Sequence, residues 1–441
     1  MKNPASTEIA DPEMRGGGEW MKIGVFADTH VGRCIPRAIG ELRRQAYRHA
    51  FTESVSTFIK EGVDYLVHAG DIFEKRSMTP AESLFVKDEL QRLADSTSEV
   101  HSKHVKIFMV RGNHDGTVES NALDYIKHPL AGYLKIIGDE TLQDRDEAVV
   151  DDSLILTGIS YHPYIARKFE EVKPRIKRLF KDKSRLKILL LHNFIKGHHE
   201  IPPGVPQHNC LDLAGLEDLG ANLIVAGHHH TIKVSATRYG TLVLTPGATE
   251  AIDLSDEGSY GVYILEGRDL RFIPLKPLHK IHNIRVDSAQ AARPAEWFVE
   301  NAAEEVSGYV STSQAEGADS ILRILLLGLT DEDPYGIECS VRTRLERITK
   351  DTSRILYVDV VNRVEEARRQ VIQMSSSGAW AAPEILMQLG RMSGEAAKIV
   401  EEVSMMLDER ASQTTGLLTA SDRSPFVNRW IRILEEVDAQ V

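Results

Sequence analysis

Five short apolar runs mark the first half of the chain: MKIGVFA at 21–27, DYLVHA at 64–69, VKIFMV at 105–110, LKILLL at 186–191 and NLIVA at 222–226. Each is bounded and uninterrupted rather than alternating, which predicts strands covered on both faces. Between them Ile35, Ile39, Leu42, Ala46, Phe51, Val55 and Phe58 recur at roughly helical spacing, and Pro80 opens a second helix through Leu84 to Leu93. Later strands are expected at 154–157, 241–245 and 260–265. Residues 21–277 therefore read as a layered α/β domain.

From 278 the rhythm changes. Strands at 281–286, 321–327 and 355–361 alternate with helices at 295–306 and 335–348, which predicts a small α+β module over 278–365 with its own core. Farther on, Ile385, Leu389, Met392, Ala396, Ile399, Val403 and Met406 alternate spacings of four and three, an a/d stripe. Ser424 and Pro425 are an N-cap and N1 pair for a second helix that carries Phe426, Trp430, Ile433 and Val437 on one face. Residues 376–441 are expected to be helical, with a flexible joint at 411–420. Residues 1–20 are small, polar and Gly-rich, a disordered leader, and leave Met1 and Met21 both open as the natural start.

Composition narrows the class. The chain has 441 residues, room for two or three domains. No apolar run approaches the roughly 20 residues of a membrane span, and no signal-peptide pattern opens the chain, so a cytoplasmic protein is expected. Cys34, Cys210 and Cys339 are scattered and lack CxxC spacing, against a disulfide framework or a zinc ribbon. The net charge of −12 argues against general coating of nucleic acid. A local exception is Arg167, Lys168, Lys173, Arg175, Lys177, Arg178, Lys181, Lys183, Arg185 and Lys187, opposed by Glu170, Glu171 and Asp182. That segment reads equally as a solvated helix face or a phosphate-contacting ridge.

The chemistry sits at the ends of the five runs: Asp28-Thr29-His30, Gly70-Asp71, Gly112-Asn113-His114-Asp115, His192 and Gly227-His228-His229-His230. In α/β sheets ligands bind beyond the carboxyl ends of strands, so these side chains should converge. Carboxylate, imidazole and amide oxygen together suit a pair of divalent cations sharing one carboxylate. Two metals about 3.5 to 4 Å apart would activate water and clamp phosphoryl oxygens, giving phosphoester hydrolysis. Any one piece is weak, since Gly-Asp is a common turn. The ordered set is specific.

Those motifs resemble the calcineurin-like metallophosphoesterases. The longer features, Asp28-Thr29-His30-Val31-Gly32, Arg43-Arg44-Gln45-Ala46 in a long helix, Gly70-Asp71-Ile72-Phe73, and Pro246-Gly247 after the fifth motif, resemble the SbcD / Mre-eleven DNA repair nucleases. The resemblance implies a metallophosphoesterase β-sandwich flanked by helices over 21–277, a DNA-capping α+β domain at 278–365 and a helical ATPase-binding region at 376–441. It implies two manganese ions: Asp28, His30, Asp71 and His230 on one, with Asp71 bridging to a second completed by Asn113, His192 and His228. His114 would act at the scissile phosphate rather than ligate, and Asp115 would orient its loop.

The expected function is a manganese-dependent nuclease for double-strand-break repair, 3′ to 5′ on duplex ends and endonucleolytic on single strands. The implied partners are DNA, a second copy in a homodimer through the helices carrying Ile39, Leu42 and Phe51, and an SMC-like ATPase of the Rad-fifty / SbcC type. In a prokaryote such a protein would be nucleoid-associated. The rivals are a phosphodiesterase for nucleotides or other small phosphodiesters, and a non-catalytic scaffold, which the full ligand set opposes. Relatives carry His or Asp where this chain has Glu74, and commonly Ser where it has Ala248; both departures bear on substrate preference. His198, His199 and His229 are not expected to ligate, His68 is expected to pack behind the site, and the stretch from Tyr161 to Tyr164 reads as a surface turn ahead of its alternative, the lining of a substrate groove.

Overall fold

The computed structural model describes residues 21–117, 122–138, 149–267, 269–316, 319–350, 352 and 354–367, together with Thr7–Glu8. The expected helices of 376–441 lie outside these residues. Of the expected leader, only Thr7–Glu8 is described, as a short strand (β1) antiparallel to Leu270 and Asp269.

The chain continues through β2 (Lys22–Phe26), α1 (Gly40–Glu61), β3 (Tyr65–His68), α2 (Pro80–His101), β4 (Lys106–Met109), α3 (Asp124–Lys127), β5 (Leu134–Ile136), β6 (Val149–Val150) and β7 (Leu154–Ile159). Next come α4 (Ile165–Leu179), β8 (Leu186–Leu191), β9 (Phe194–Lys196), β10 (Cys210–Asp212), α5 (Leu213–Glu217), β11 (Leu223–Ala226), β12 (Lys233–Ala236), β13 (Leu242–Thr245), β14 (Gly261–Glu266) and β15 (Asp269–Pro274). All five apolar runs form the expected strands. They divide between two sheets, one ordered β1-β15-β14-β2-β3-β4-β5 and the other β12-β13-β11-β8-β7-β6. This is the β-sandwich that the resemblance implied.

Ile23, Val25, Val67, Phe108, Leu156, Ile188, Leu190, Leu223 and Val225 face one another between the sheets. Their alternating neighbours face outward: Leu66, Ile107 and Met109 join Phe51, Val55 and Phe58 of α1 and Val86 and Leu90 of α2. On the opposite side Ile155, Leu189, Leu191 and Ile224 meet Ile165, Phe169, Val172 and Ile176 of α4. Both faces of each central strand are thus apolar, which is why the runs do not alternate. The α2 helix begins as its residues dictate, with Thr79 Oγ1 accepting from Glu82 N (3.3 Å) and Pro80 at N1. On α4 the cations flank an apolar stripe, and Lys173 and Lys177 both pair with Asp218, 3.4 and 2.6 Å away.

Residues 280–366 build a third sheet, β16 (Lys280–Arg293), β17 (Ser320–Thr330) and β18 (Ile355–Glu366), with α6 (Ala295–Glu316) and α7 (Ile337–Thr349). Phe298, Ala302, Val306, Ile324, Val341 and Leu345 form its own cluster. Sheet and core change between β15 and β16, yet Met1–Val364 make one compact unit. A small cluster joins them: Ile39 and Leu254 pack with Ile321, and Leu42, Ile281 and Leu356 lie against it. Phe51 is fully buried under the first sheet. Of the three residues offered as a dimer surface, Ile39 and Phe51 are thus buried within the chain, and Leu42 is partly buried. Among the described residues no helix is long and apolar enough to cross a membrane.

Candidate metal centre

The first sheet delivers Asp28 and His30 after β2, Asp71 after β3, and Asn113 with His114 after β4. The second delivers His192 after β8, and His228 with His230 after β11. Two contacts sew the sheets together at this edge. His228 N donates to Asp28 Oδ1 at 3.0 Å, and His192 Nδ1 lies 2.6 Å from Ala69 O. The buried Asp115 accepts from Asp71 N and Gly112 N at 2.9 Å each and from Phe73 N at 3.1 Å, so it ties two ligand-bearing loops rather than facing the cleft.

These loops are held in unfavourable backbone. Asp28, His30, Asp71 and His228 have φ of 50°, 41°, 57° and 80°, a region non-glycine residues avoid. Two glycines make the close approach possible. A Cβ on Gly112 would stand 2.0 Å from Asp71 Oδ1, and one on Gly70, itself at φ +93°, 2.3 Å from His192 Nδ1.

The side chains converge in overlapping groups: Asp28, His30 and His230; Asp71, His192 and His228; and, between them, His30, Asp71 and His114. His30 Nε2 is 3.3 Å from His230 Nε2 and 3.9 Å from Asp71 Oδ2, and His230 Nε2 is 4.0 Å from Asp28 Oδ1. On the other side His192 Nε2 is 3.2 Å from both Asp71 Oδ2 and Asn113 Oδ1. Asp71 thus touches both sets, and its other oxygen accepts from His114 N at 2.8 Å. All of the expected site residues come together.

Burial makes the cluster costly without a cation. It pushes the Asp28 carboxyl up to about 7, and Asp115 up to about 6. It lowers His228 and His230 to about 3 each. Burial also opposes charge on His192 and Asp71, but their mutual attraction outweighs it, raising His192 to about 9 and holding Asp71 below the usual carboxylate range. Imidazole nitrogens facing each other at 3.3 Å beside two desolvated carboxylates are a donor set that a divalent cation satisfies.

Residues 21–231 match the family model of the calcineurin-like phosphoesterases. They form a calcineurin-like phosphoesterase domain. Over 296 residues the chain is 23% identical to the DNA double-strand break repair protein Mre11 of Thermoplasma acidophilum, covering 65% of this chain and 71% of that protein. Over 254 residues it is 26% identical to the protein of the same name from Methanosarcina mazei, covering 55% of this chain but only 36% of that one. A dimetal phosphatase from Danio rerio shares 12% identity over 58% of this chain and 96% of its own, with a TM-score of 0.35, a likeness too loose to argue from.

Around the phosphoesterase centre the remaining histidines fall into structural roles. His198 and His199 both meet Thr245 Oγ1, at 3.0 and 2.7 Å, and His229 stacks on His199. His68 sits behind the site, where its Nε2 lies 3.2 Å from Thr29 Oγ1 and burial lowers it to about 3. The expected turn is present at Pro163 and Tyr164, both exposed, while Tyr161 stands at the site: its ring lies 5.6 Å from that of His228, and Tyr161 N is pinned to Arg111 O at 2.8 Å. Phe194, unnoticed in the sequence, packs edge-on to His228 with centroids 4.4 Å apart. Its signal was position, two residues past His192 at the same strand end.

Proposed function

We propose that the chain is a manganese-dependent DNA nuclease that processes ends in double-strand-break repair. The observation that carries this reading is the cluster of Asp28, His30 and His230 beside a second of Asp71, His192 and His228, with Asp71 Oδ2 also 3.9 Å from His30 Nε2. Asp28, His30, Asp71 and His230 would hold one cation, and Asp71, Asn113, His192 and His228 the other. Bound there, two cations would supply a Lewis acid for the phosphoryl oxygens and lower the pKa of the attacking water. His114 supports a different role. Its Nδ1 is engaged by Glu74 O at 2.7 Å, which leaves Nε2 to meet substrate, and the imidazolium form, with a hydrogen on each ring nitrogen, would protonate the leaving oxygen.

Two features favour a nucleic-acid substrate over a small phosphodiester. The chain resembles named DNA break-repair proteins. A cleft of about 1020 Å³ also opens beside His228 and His230, lined by Phe194, Ile232, Tyr260 and Phe272, with room and aromatic faces for a nucleotide. The deciding assay is cleavage of end-labelled duplex and single-stranded DNA with manganese, against cyclic nucleotides. Shortening from 3′ ends and internal cuts in single strands are expected; turnover confined to cyclic nucleotides would defeat the reading. A homodimer and an SMC-like ATPase partner belong to the same proposal through the family resemblance. Co-purification with the ATPase, lost on deleting 376–441, would support the partner.

A further inference from the structure

One side chain outside the proposed ligand set stands directly behind it. Glu74, three residues past Asp71, is 6% exposed. Its Oε2 lies 3.2 Å from His30 Nδ1, an ion-pair contact, and both atoms are buried without a hydrogen-bond partner. Its Oε1 accepts from Arg33 Nη1 at 2.8 Å, while Arg33 Nε donates to Ile252 O at 3.1 Å. Its backbone carbonyl oxygen meets His114 Nδ1 at 2.7 Å. One residue therefore reaches the same nitrogen of two imidazoles, through two different groups.

A neutral imidazole carries one N–H and one lone pair, and the partner of one nitrogen decides where each sits. An acceptor at Nδ1 places the hydrogen there and leaves the lone pair on Nε2. In His30 that Nε2 is the atom turned toward His230 and Asp71. Outer partners of this kind orient metal-binding histidines and raise their basicity.

We infer that Glu74, clamped by Arg33, is a positioning residue that fixes His30 with Nε2 free for metal, and so sets the affinity of one cation site and not the other. The inference rests on the two-metal reading above. It follows that the two arms of Glu74 are separable. Removing the side chain strips support from His30, while the backbone carbonyl continues to hold His114. It also follows that glutamine is a poor substitute despite its shape. Arg33 and His30 both present N–H groups, and only a carboxylate offers an acceptor oxygen to each.

The test is manganese titration of the wild-type protein, Glu74→Gln and Glu74→Leu, read by calorimetry and electron paramagnetic resonance, with melting of the metal-free proteins as a control for folding. The wild type should bind two manganese ions with an exchange-coupled signal. Both variants should keep one ion at wild-type affinity, bind the second about 10- to 100-fold more weakly, and show an uncoupled six-line signal at low metal. Raising manganese should restore the coupled signal and most of the turnover in Glu74→Leu, because His114 keeps its partner. Two wild-type-affinity sites in Glu74→Gln would overturn the inference, as would equal weakening of both sites. A wild-type protein that binds no second manganese would overturn the two-metal reading and this inference with it.

Discussion

The small module and the strand-end loops of the phosphoesterase domain treat polarity and backbone strain in opposite ways. In the module, Phe298, Ala302 and Val306 of α6 and Ile337, Val341 and Leu345 of α7 follow helical spacing into one apolar cluster. Its one non-glycine residue of positive φ among those described is Ala289, in the register shift between Asp287 and Ala292. At the strand ends, four non-glycine residues of positive φ hold buried carboxylates and imidazoles against one another. Local rules agree throughout the module and are broken together at the site, the pattern expected where strain and desolvation serve a ligand.

The largest way to break that contrast is to remove the group at its centre. Asp71→Asn takes away the one carboxylate that touches both ligand sets and offsets repulsion between two cations. Cleavage of single-stranded DNA with manganese should fall to background, and bound manganese, measured by elemental analysis, should drop below two per chain. A variant with two ions and near-normal turnover would show that the convergence is structural, like the module's core.

Much of this was legible in the residues and some was not, for reasons that differ by element. The apolar runs announced their strands because each is covered on both faces, and the motif residues announced the site because each follows such a run. The same uniformity hid which helices each run packs against: LKILLL and VKIFMV look alike although the first faces α4 and the second α1 and α2. Tyr161 and Phe194 carry no motif, and only the folded geometry puts their rings beside His228. Leu42 offered an apolar side chain without saying what covers it; the answer, Ile321 and Leu356, lies far away in sequence. Arg43, quoted only within the stretch Arg43-Arg44-Gln45-Ala46 and without a role, is buried and donates to Glu250 at 3.1 Å, tying α1 to the loop after the fifth motif.

A smaller effect separates binding from chemistry. His114→Asn should lower turnover by about 10²- to 10⁴-fold, the usual contribution of one acid or base group, while leaving manganese stoichiometry at two. Loss of an ion would make His114 a ligand, which its place among His30 and Asp71 allows geometrically. Gly70→Ala acts one step farther out. The added methyl would crowd His192 Nδ1, so one manganese should bind about 10- to 100-fold more weakly, seen as a split titration. Unchanged binding would mean that the glycine serves only the turn.

The smallest effect on activity is expected from the other side of the comparison. Leu345→Ala removes a fully buried side chain from the module's cluster and should cost about 2 to 5 kcal/mol in urea unfolding, through lost burial and the cavity left behind. Manganese titration and cleavage per folded molecule should not change, because the cluster touches no ligand loop directly. The two regions nonetheless meet where Leu254 packs on Ile321, two residues from the Ile252 carbonyl that anchors Arg33. If Leu345→Ala weakens manganese binding while the protein is still folded, loosening of the module reaches His30 by that route, and the regions are energetically one. If stability falls and metal affinity holds, the apolar regularity of the module and the strained polarity of the site are independent features of a single compact unit.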